Sequence, residues 1–587
     1  MNQTRRNILL YLVVLLLLAA CSGEDEAELI PDEDGAASEE AVVPSDMVAS
    51  EATALPVEVI ETAAPSLTDV APGDLYTGTG DMPWWNDTVF YEIFVRSFQD
   101  SDGDGKGDIS GLIERLDYLN DGDSATMDDL GVTGLWLMPI MESPSYHGYD
   151  VVDYLMVDSE YGTTEDFKRL IDEAHDRGIR VIVDLVLNHT SNQHPWFQEA
   201  RDPDSDLRDW YIWSEDNPGF RGPWGQQVWH ASGSDYYYGV FWEGMPDLNY
   251  ENPEVTNSML NAARFWLEDM GADGFRLDAI KHMVEDGSTQ ENTSETHDWL
   301  SGFYTFYKDV NPDAFSVGEA WTSTDEVLDY TGDEVDIAFQ FDLARAILNS
   351  SQEGRGSVYS SEMAAITGSY PAGQYAIFIT NHDQDRVLSQ LDGDESAAKV
   401  AASLLLTSPG VPFIYYGEEI GMTGMKPDEN IRRPMQWSGD NLRVDFTDGS
   451  PWRRPAKDYE ERNVAVQSDD PDSLLSHYRS LIHLRNESQA LRVGEWTPVD
   501  TGNDGLVAFL RHTEDEAILV LVNATRQTVN DYDLTLVTGP LDSPIRAMLL
   551  LGDGPAVDPE VNDAGGFAGY KPIDRLEPQS TYIIDLK

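Results

Sequence analysis

The sequence predicts an α/β chain: a (β/α)8 barrel with an irregular insertion domain after the third strand and a C-terminal antiparallel β-sandwich. Three observations predict it. From Trp84 onward, apolar runs of strand length alternate with amphipathic helical stretches, the pattern of parallel strands joined by crossover helices. That alternation breaks once, between residues 190 and 248, and then resumes. Beyond Arg492 it gives way to short alternating runs, Leu506-Val-Ala-Phe-Leu-Arg511 and Ala517-Ile-Leu-Val-Leu-Val522, which read as an all-β unit.

In chain order, Arg5 and Arg6 precede the apolar run Ile8 to Leu18, followed by Ala19, Ala20 and Cys21. A basic segment, an apolar stretch and a small-residue site read as a secretory signal, and the run is short for a stable membrane span. Residues 1–21 resemble a bacterial lipoprotein signal with its lipobox. Cys21 would then be the lipidated first residue of an exported protein, anchored to the cell envelope at the outer membrane or cell surface. Cys21 is the only cysteine, so no internal disulfide can form. Residues 22–80 are rich in Ala, Glu, Asp and Pro and contain no Lys or Arg; such a segment cannot repay its ordering entropy and reads as an acidic tether.

The first part of the barrel occupies 81–189. Val89 to Val95 is a strand, Gly111 to Asn120 a helix, and Gly134 to Pro139 a strand. A helix over Thr164 to Arg177 opens on Thr163 or Thr164 with acids in its first turn, and Ile179 to Val186 is the third strand. Residues 190–248 are rich in Trp, Tyr, Gly, Pro and Asp without a long periodic helix, and read as a small irregular domain beside the site. The barrel resumes over 249–491, with a helix at Asn261 to Met270 and strands near 274–277, 315–317, 335–341, 375–379 and 411–415. The helix Leu474 to Arg485 closes it, and the sandwich takes 492–587.

A parallel barrel gathers its chemistry at the C-terminal ends of its strands. Four stretches place acids or histidines there: Asp184-Leu-Val-Leu-Asn-His189, Gly274-Phe-Arg-Leu-Asp-Ala-Ile-Lys-His282, Val317-Gly-Glu-Ala-Trp321 and Phe378-Ile-Thr-Asn-His-Asp383. Cleavage of a glycosidic bond with retention needs one carboxylate as nucleophile and one protonated carboxyl as acid, about 5–5.5 Å apart. Asp278 suits the nucleophile, because Arg276 shares its strand face and can keep it ionised. Glu319 suits the acid, since two nearby anions would raise its pKa. Asp383 can bind sugar hydroxyls and favour an oxocarbenium-like transition state, with His189 and His382 as hydroxyl donors.

These stretches are similar to the conserved regions of the α-amylase family, glycoside hydrolase family 13, and the resemblance runs from Trp84 to Lys587. It implies that Asp278 is the nucleophile, Glu319 the acid/base and Asp383 the transition-state stabiliser. It places Arg276, His189 and His382 at substrate-binding positions and Tyr149, in His147-Gly-Tyr-Asp150, as an aromatic platform. Arg432, in Ile431-Arg-Arg-Pro-Met-Gln-Trp437, would line the same subsite with Asp428 beside it. Met245-Pro-Asp-Leu-Asn249 resembles the signature of members intermediate between oligo-1,6-glucosidases and neopullulanases. Ala279, where α-1,6-specific members tend to carry Val, and the pair Lys281 and His282 imply endo-acting cleavage of α-1,4 bonds. Asp150 pulls the other way, because exo-acting relatives grip a non-reducing end with an Asp there. The expectation is an α-amylase acting on starch or malto-oligosaccharides. The alternative is an oligo-1,6-glucosidase-like or α-glucosidase-like hydrolase, or a glucanotransferase. From another class comes a surface glucan-binding lipoprotein on an inactive scaffold, against which the retention of all three carboxylates argues.

Asp100-Ser-Asp-Gly-Asp-Gly-Lys-Gly-Asp108 sets carboxylates at alternate positions among glycines, which suits a tight loop around Ca²⁺. The loop is similar to one in oligo-1,6-glucosidase-like relatives, which implies side-chain ligands from Asp100, Asp102, Asp104 and Asp108 and the carbonyl of Lys106. A second family site would use Asn188, Asp247 and the His282 carbonyl. Calcium at either would be structural.

The formal charge is −70, from 107 acidic and 37 basic residues. Nucleic acid is thereby excluded as a partner class, since its phosphates need Lys and Arg. Self-repulsion on this scale disfavours a compact state in dilute buffer, whereas salt near 1 M shortens the screening length to about 3 Å. A salt-adapted enzyme is expected; the oligomeric state is left open.

Overall fold

The computed structural model describes Leu75 and residues 77–587 apart from 124–125. The signal, Cys21 and nearly all of the acidic tether lie outside the described residues. Eight parallel strands form one sheet: β1 (Phe90–Ile93), β2 (Gly134–Leu137), β3 (Arg180–Leu185), β4 (Gly274–Leu277), β5 (Phe315–Gly318), β6 (Ile337–Ala338), β7 (Ala376–Ile377) and β8 (Val411–Tyr415). Their spatial order is β6-β5-β4-β3-β2-β1-β8-β7, and a parallel bridge from Phe339 to Ala376 joins the two ends into a barrel.

Period-two alternation sorts each strand into two faces. Tyr91, Ile93, Leu135, Val181, Val183 and Phe275 point outward into the main core under the helices. Phe90, Trp136, Ile182, Phe315, Phe339 and Phe413 point inward as an aromatic plug. Phe90 and Phe413 stack within it at 4.6 Å. Two residues further along, the same inward faces carry Glu92 on β1 and Asp184 on β3, both buried. The barrel is thus apolar at its base and charged at its C-terminal end.

The helices obey the 3.6 period. Thr164–His175 buries Phe167, Leu170, Ile171 and Ala174, and Thr163 and Asp166 cap each other in a capping box. The sequence misplaced two helices. The helix expected over Gly111–Asn120 is split into Ile109–Glu114 and Leu116–Leu119 at Arg115. The one expected from Asn261 starts earlier, at Pro253, where Asn252 accepts a hydrogen bond from the Glu254 amide. Phe341 begins a helix instead of ending a strand, so β6 is only two residues long.

The excursion after β3 contains a short helix, Pro195–Ala200, and a three-stranded antiparallel sheet of Trp213–Ser214, Asp235–Tyr238 and Trp229–Ser232. It is tied back to β3 by a bridge between His189 and Asp247. At the C-terminus a five-stranded antiparallel sheet runs Glu495–Pro498, Leu506–His512, Ala517–Asn523, Ser580–Leu586, Ala547–Leu551. Its residues alternate between two cores. Leu506, Leu510, Leu519, Leu521 and Ile584 pack against the small sheet of Leu534–Leu536 and Phe567–Tyr570. Val507, Phe509, Ile518, Val520 and Ile583 pack into the core shared with the barrel.

Candidate active site

Arg276 organises the C-terminal end of the barrel. It faces inward on β4, fully buried, with its guanidinium 5.1 Å above the Trp136 ring of the aromatic plug. Register places Asp184 of β3 directly beside it. Nη1 donates to Asp184 Oδ1 and Oδ2, both at 2.9 Å, and to Asp278 Oδ1 at 2.8 Å. Nη2 donates to Glu319 Oε2 at 2.5 Å. Two of the sequence-predicted carboxylates, Asp278 and Glu319, thus hang from the two amino groups of one guanidinium. Immediately after Asp278 the chain turns through Ala279 in the left-handed region (φ 49°) and enters the short helix Ile280–His282.

One buried cation facing three carboxylates leaves excess negative charge, which a proton relieves. Burial, with help from Asp278 and Asp383, pushes the Glu319 carboxyl up to about 7 against the opposing pull of Arg276. Asp184 is pushed up to about 6, again mainly by burial. Glu319 is therefore the carboxyl that holds a proton near neutral pH.

Asp383 belongs to a second charged group on the same rim. Its Oδ2 lies 3.2 Å from His382 Nε2, and its Oδ1 accepts from Arg432 Nη2 at 2.9 Å. Burial works to raise its pKa, but His382 and then Arg432 outweigh that and hold it well below the usual range. His382 Nδ1 meets Glu92 Oε1 at 2.5 Å. Burial opposes its charge, yet Asp383 and Glu92 lift the imidazole to about 10, so it is an imidazolium. Tyr149 lies nearly parallel to that ring (5.4 Å, 16°) and its hydroxyl sits 2.7 Å from His382 Nε2 and 3.0 Å from Asp184 Oδ2. Arg432 also donates from Nε to the His382 carbonyl at 3.0 Å and lies 3.5 Å from Asp428. His189 Nε2 is 3.1 Å from the Tyr149 carbonyl.

The remaining expected residues surround this centre. Asp150 Oδ1 accepts from the Ser143 hydroxyl at 2.9 Å and from the Ser145 hydroxyl. Lys281 Nζ donates to the Trp321 carbonyl at 3.0 Å and pairs with Glu291 at 2.8 Å. Trp321 is about half exposed (47%) and stacks on Phe341 at 4.7 Å. His282 is buried, with Nδ1 2.7 Å from the Gln290 carbonyl, and the half-exposed Trp224 lies edge-on to its ring at 5.6 Å. Sequence reasoning left Glu92 and Asp184 without roles. Their signal was a carboxylate inside an otherwise apolar strand, Phe-Tyr-Glu-Ile on β1 and Ile-Val-Asp-Leu on β3.

Two groups fit a hard cation. Oxygens of Asp100, Asp102 and Asp108 lie within 4.8 Å of one another, the spread expected when each sits about 2.3–2.6 Å from one Ca²⁺. Asp104 stands outside that group and turns Oδ1 to the Lys106 amide at 2.8 Å. In the second group, Asn188 Oδ1 and Asp247 Oδ2 are buried without a hydrogen-bond partner among the described residues. Glu285 Oε1 shares that condition. Burial raises Asp247 to about 8 and, with Asp247, carries Glu285 well above the carboxylate range. Glu285 escaped sequence reasoning because it lies in an irregular segment with no ligand spacing to mark it.

A (β/α)8 barrel whose strand ends carry this carboxylate pair has the arrangement that glycoside hydrolases use. The α-amylase catalytic-domain family matches residues 92–494. The chain belongs to that family, glycoside hydrolase family 13. It is 40% identical over 453 residues to Alpha-amylase 3 of Dictyoglomus thermophilum, covering 76% of this chain and 86% of that one. It is 35% identical over 523 residues to a trehalose synthase of Pimelobacter sp., covering 77% and 89%. Among solved structures, an α-amylase from H. orenii superposes with a TM-score of 0.75 at 40% identity, covering 85% of this chain and 99% of that one.

Proposed function

We propose that this protein is a retaining α-glucan hydrolase of the α-amylase type, cleaving α-1,4 bonds of starch or malto-oligosaccharides from within the chain. The observation that carries the reading is the shared guanidinium: Arg276 binds Asp278 on one amino group and Glu319 on the other. Protonated Glu319 gives its proton to the glycosidic oxygen while Asp278 attacks the anomeric carbon, forming a glycosyl-enzyme and releasing the leaving chain. Glu319, now a carboxylate, takes a proton from water, which attacks the same carbon and frees Asp278. Asp383, held anionic by His382 and Arg432, binds sugar hydroxyls and stabilises the positive charge that develops on the ring. Tyr149 lies under the sugar at the cleavage point. Lys281, His282 and the exposed faces of Trp321 and Trp224 receive the leaving-group sugars.

Calcium at Asp100, Asp102 and Asp108, with the Lys106 carbonyl, would clamp the loop after β1. A second ion among Asn188, Asp247, Glu285 and the His282 carbonyl would fasten the excursion to the barrel. Both roles are structural. In this reading the mature protein is lipidated on Cys21 and held at the cell envelope. Replacing Cys21 with Ala should move the enzyme from the membrane to the soluble fraction, and an unchanged distribution counts against the anchor.

Similarity to a trehalose synthase and the buried Asp150 favour a second reading, an enzyme that trims or rearranges short oligosaccharides. Product analysis separates the two. Rapid loss of iodine staining of soluble starch, with mixed maltodextrins, supports the endo-acting amylase. Glucose from isomaltose, or trehalose from maltose, supports the second.

A further inference from the structure

Glu92 is an acid in a part of the barrel otherwise filled with rings. It faces inward on β1, its side chain 2% exposed, with Trp136 of β2 and Tyr415 of β8 beside it in register. Burying a lone carboxylate is costly unless a cation answers it. The partner is His382, whose side chain is 1% exposed and whose Nδ1 lies 2.5 Å from Glu92 Oε1. The ring is held from three directions. Tyr149 lies nearly parallel to one face, Trp136 meets it edge-on at 5.6 Å, and Arg432 donates to the His382 backbone carbonyl.

The neighbours fix where the protons lie. Asp184, once ionised, can only accept, so the Tyr149 hydroxyl 3.0 Å away donates to it. Arg276 Nη1, which can only donate, lies 3.3 Å from the same hydroxyl oxygen. That oxygen therefore also accepts from His382 Nε2 at 2.7 Å, and Nε2 carries a hydrogen. Asp383 Oδ2, 3.2 Å from Nε2, is a second anion on that edge. With Nε2 protonated, a carboxylate at Nδ1 calls for a second ring proton, and His382 is a cation between two anions. Its charge also reaches Asp184 and Glu319, and that of Glu92 also reaches Tyr415 and Glu418.

We propose that Glu92 is a positioning residue for hydrolysis: by accepting from His382 Nδ1 it keeps the ring a cation, and the Nε2 edge of that cation holds Asp383 ionised and in place. On the hydrolase reading, on which this rests, Asp383 stabilises the positive charge that develops on the sugar. Glu92 is buried and acts only through His382. A glutamine at 92 can donate an amide hydrogen to an unprotonated Nδ1, leaving the ring where it is but neutral. Shape is kept and charge is lost.

The test compares the wild-type chain with Glu92→Gln and Glu92→Asp. On maltotriose, kcat of Glu92→Gln should fall about 10- to 100-fold with little change in KM, the effect of losing one charged hydrogen bond that serves the transition state. Glu92→Asp fits the space less well but keeps the charge, and should retain more turnover than Glu92→Gln; a space-filling role predicts the reverse order. With nitrogen-15-labelled histidine, NMR at about pH 8 should show a wild-type imidazolium, protonated on both ring nitrogens, that His382→Gln removes. In Glu92→Gln the same ring should carry one proton. A singly protonated His382 in the wild type overturns the proposal, whether or not the variants fold. So does a wild-type kcat in Glu92→Gln, a loss carried by KM alone, or Glu92→Gln outperforming Glu92→Asp. A wild-type chain that does not hydrolyse maltotriose overturns the hydrolase reading and this inference with it, whereas a singly protonated His382 in a chain that does hydrolyse it overturns this inference alone.

Discussion

Glu319→Gln removes the proposed acid while keeping the shape of the side chain. With its carboxyl at about 7, roughly half of the molecules carry the catalytic proton at pH 7, against about 0.3% for a carboxyl left at its ordinary value near 4.5. General acid catalysis is worth about 10²- to 10⁴-fold, so kcat on maltotriose should fall within that range. Activity of the wild-type enzyme depends on the protonated form, so kcat/KM should decline as pH rises through about 7, and this basic limb should vanish in the variant. An aryl glucoside with an acidic phenol as leaving group needs no proton, so glycosylation of the variant should be largely restored on it. Stopped-flow release of the phenol, alongside steady-state rates from pH 4 to 9, provides the assay. A variant with near-normal turnover on maltotriose, or one that keeps the basic limb, would refute the assignment of Glu319.

Arg276→Met should cost about 3–5 kcal/mol in urea unfolding, because Asp184 and its neighbours lose their buried partner; a change below 1 kcal/mol would mean that Arg276 does not hold the cluster. Chelating calcium should lower Tm by a few degrees while leaving 25 °C turnover unchanged, since a ligand at about 100 times its Kd contributes about 2.7 kcal/mol. Asp102→Ala should imitate the chelator, and a calcium-insensitive Tm would remove the site. Raising NaCl from 0.05 to about 2 M should raise Tm, because screening weakens repulsion within a chain of net charge −70; a flat response would make the acidity a matter of solubility alone.

The barrel could be read in the sequence because its strands are buried on both faces, so apolar runs are interrupted only where chemistry requires it. Asp278, Glu319 and Asp383 stood out as acids just past such runs. Asp184 and Glu92 sit within the runs, and only the alternation of faces reveals that Asp184 reaches Arg276 and Glu92 reaches His382. The excursion after β3 was harder to read. Its strands Trp229–Ser232 and Asp235–Tyr238 are four residues each and meet at a tight Gly233 turn, too short for a period to emerge. The split at Arg115 follows from tertiary contacts. That side chain leaves the helix to bond Gln99 at 2.7 Å and to lie 4.4 Å over the Trp437 ring, and neither partner is visible from local pattern.

The strands Leu506–His512 and Ala517–Asn523 have no wet side, since odd and even positions serve different cores. A gene truncated after the barrel would leave a hydrophobic wall facing water, and its product should collect in inclusion bodies. Minimising this enzyme for biotechnology therefore cannot begin by discarding the C-terminal hundred residues.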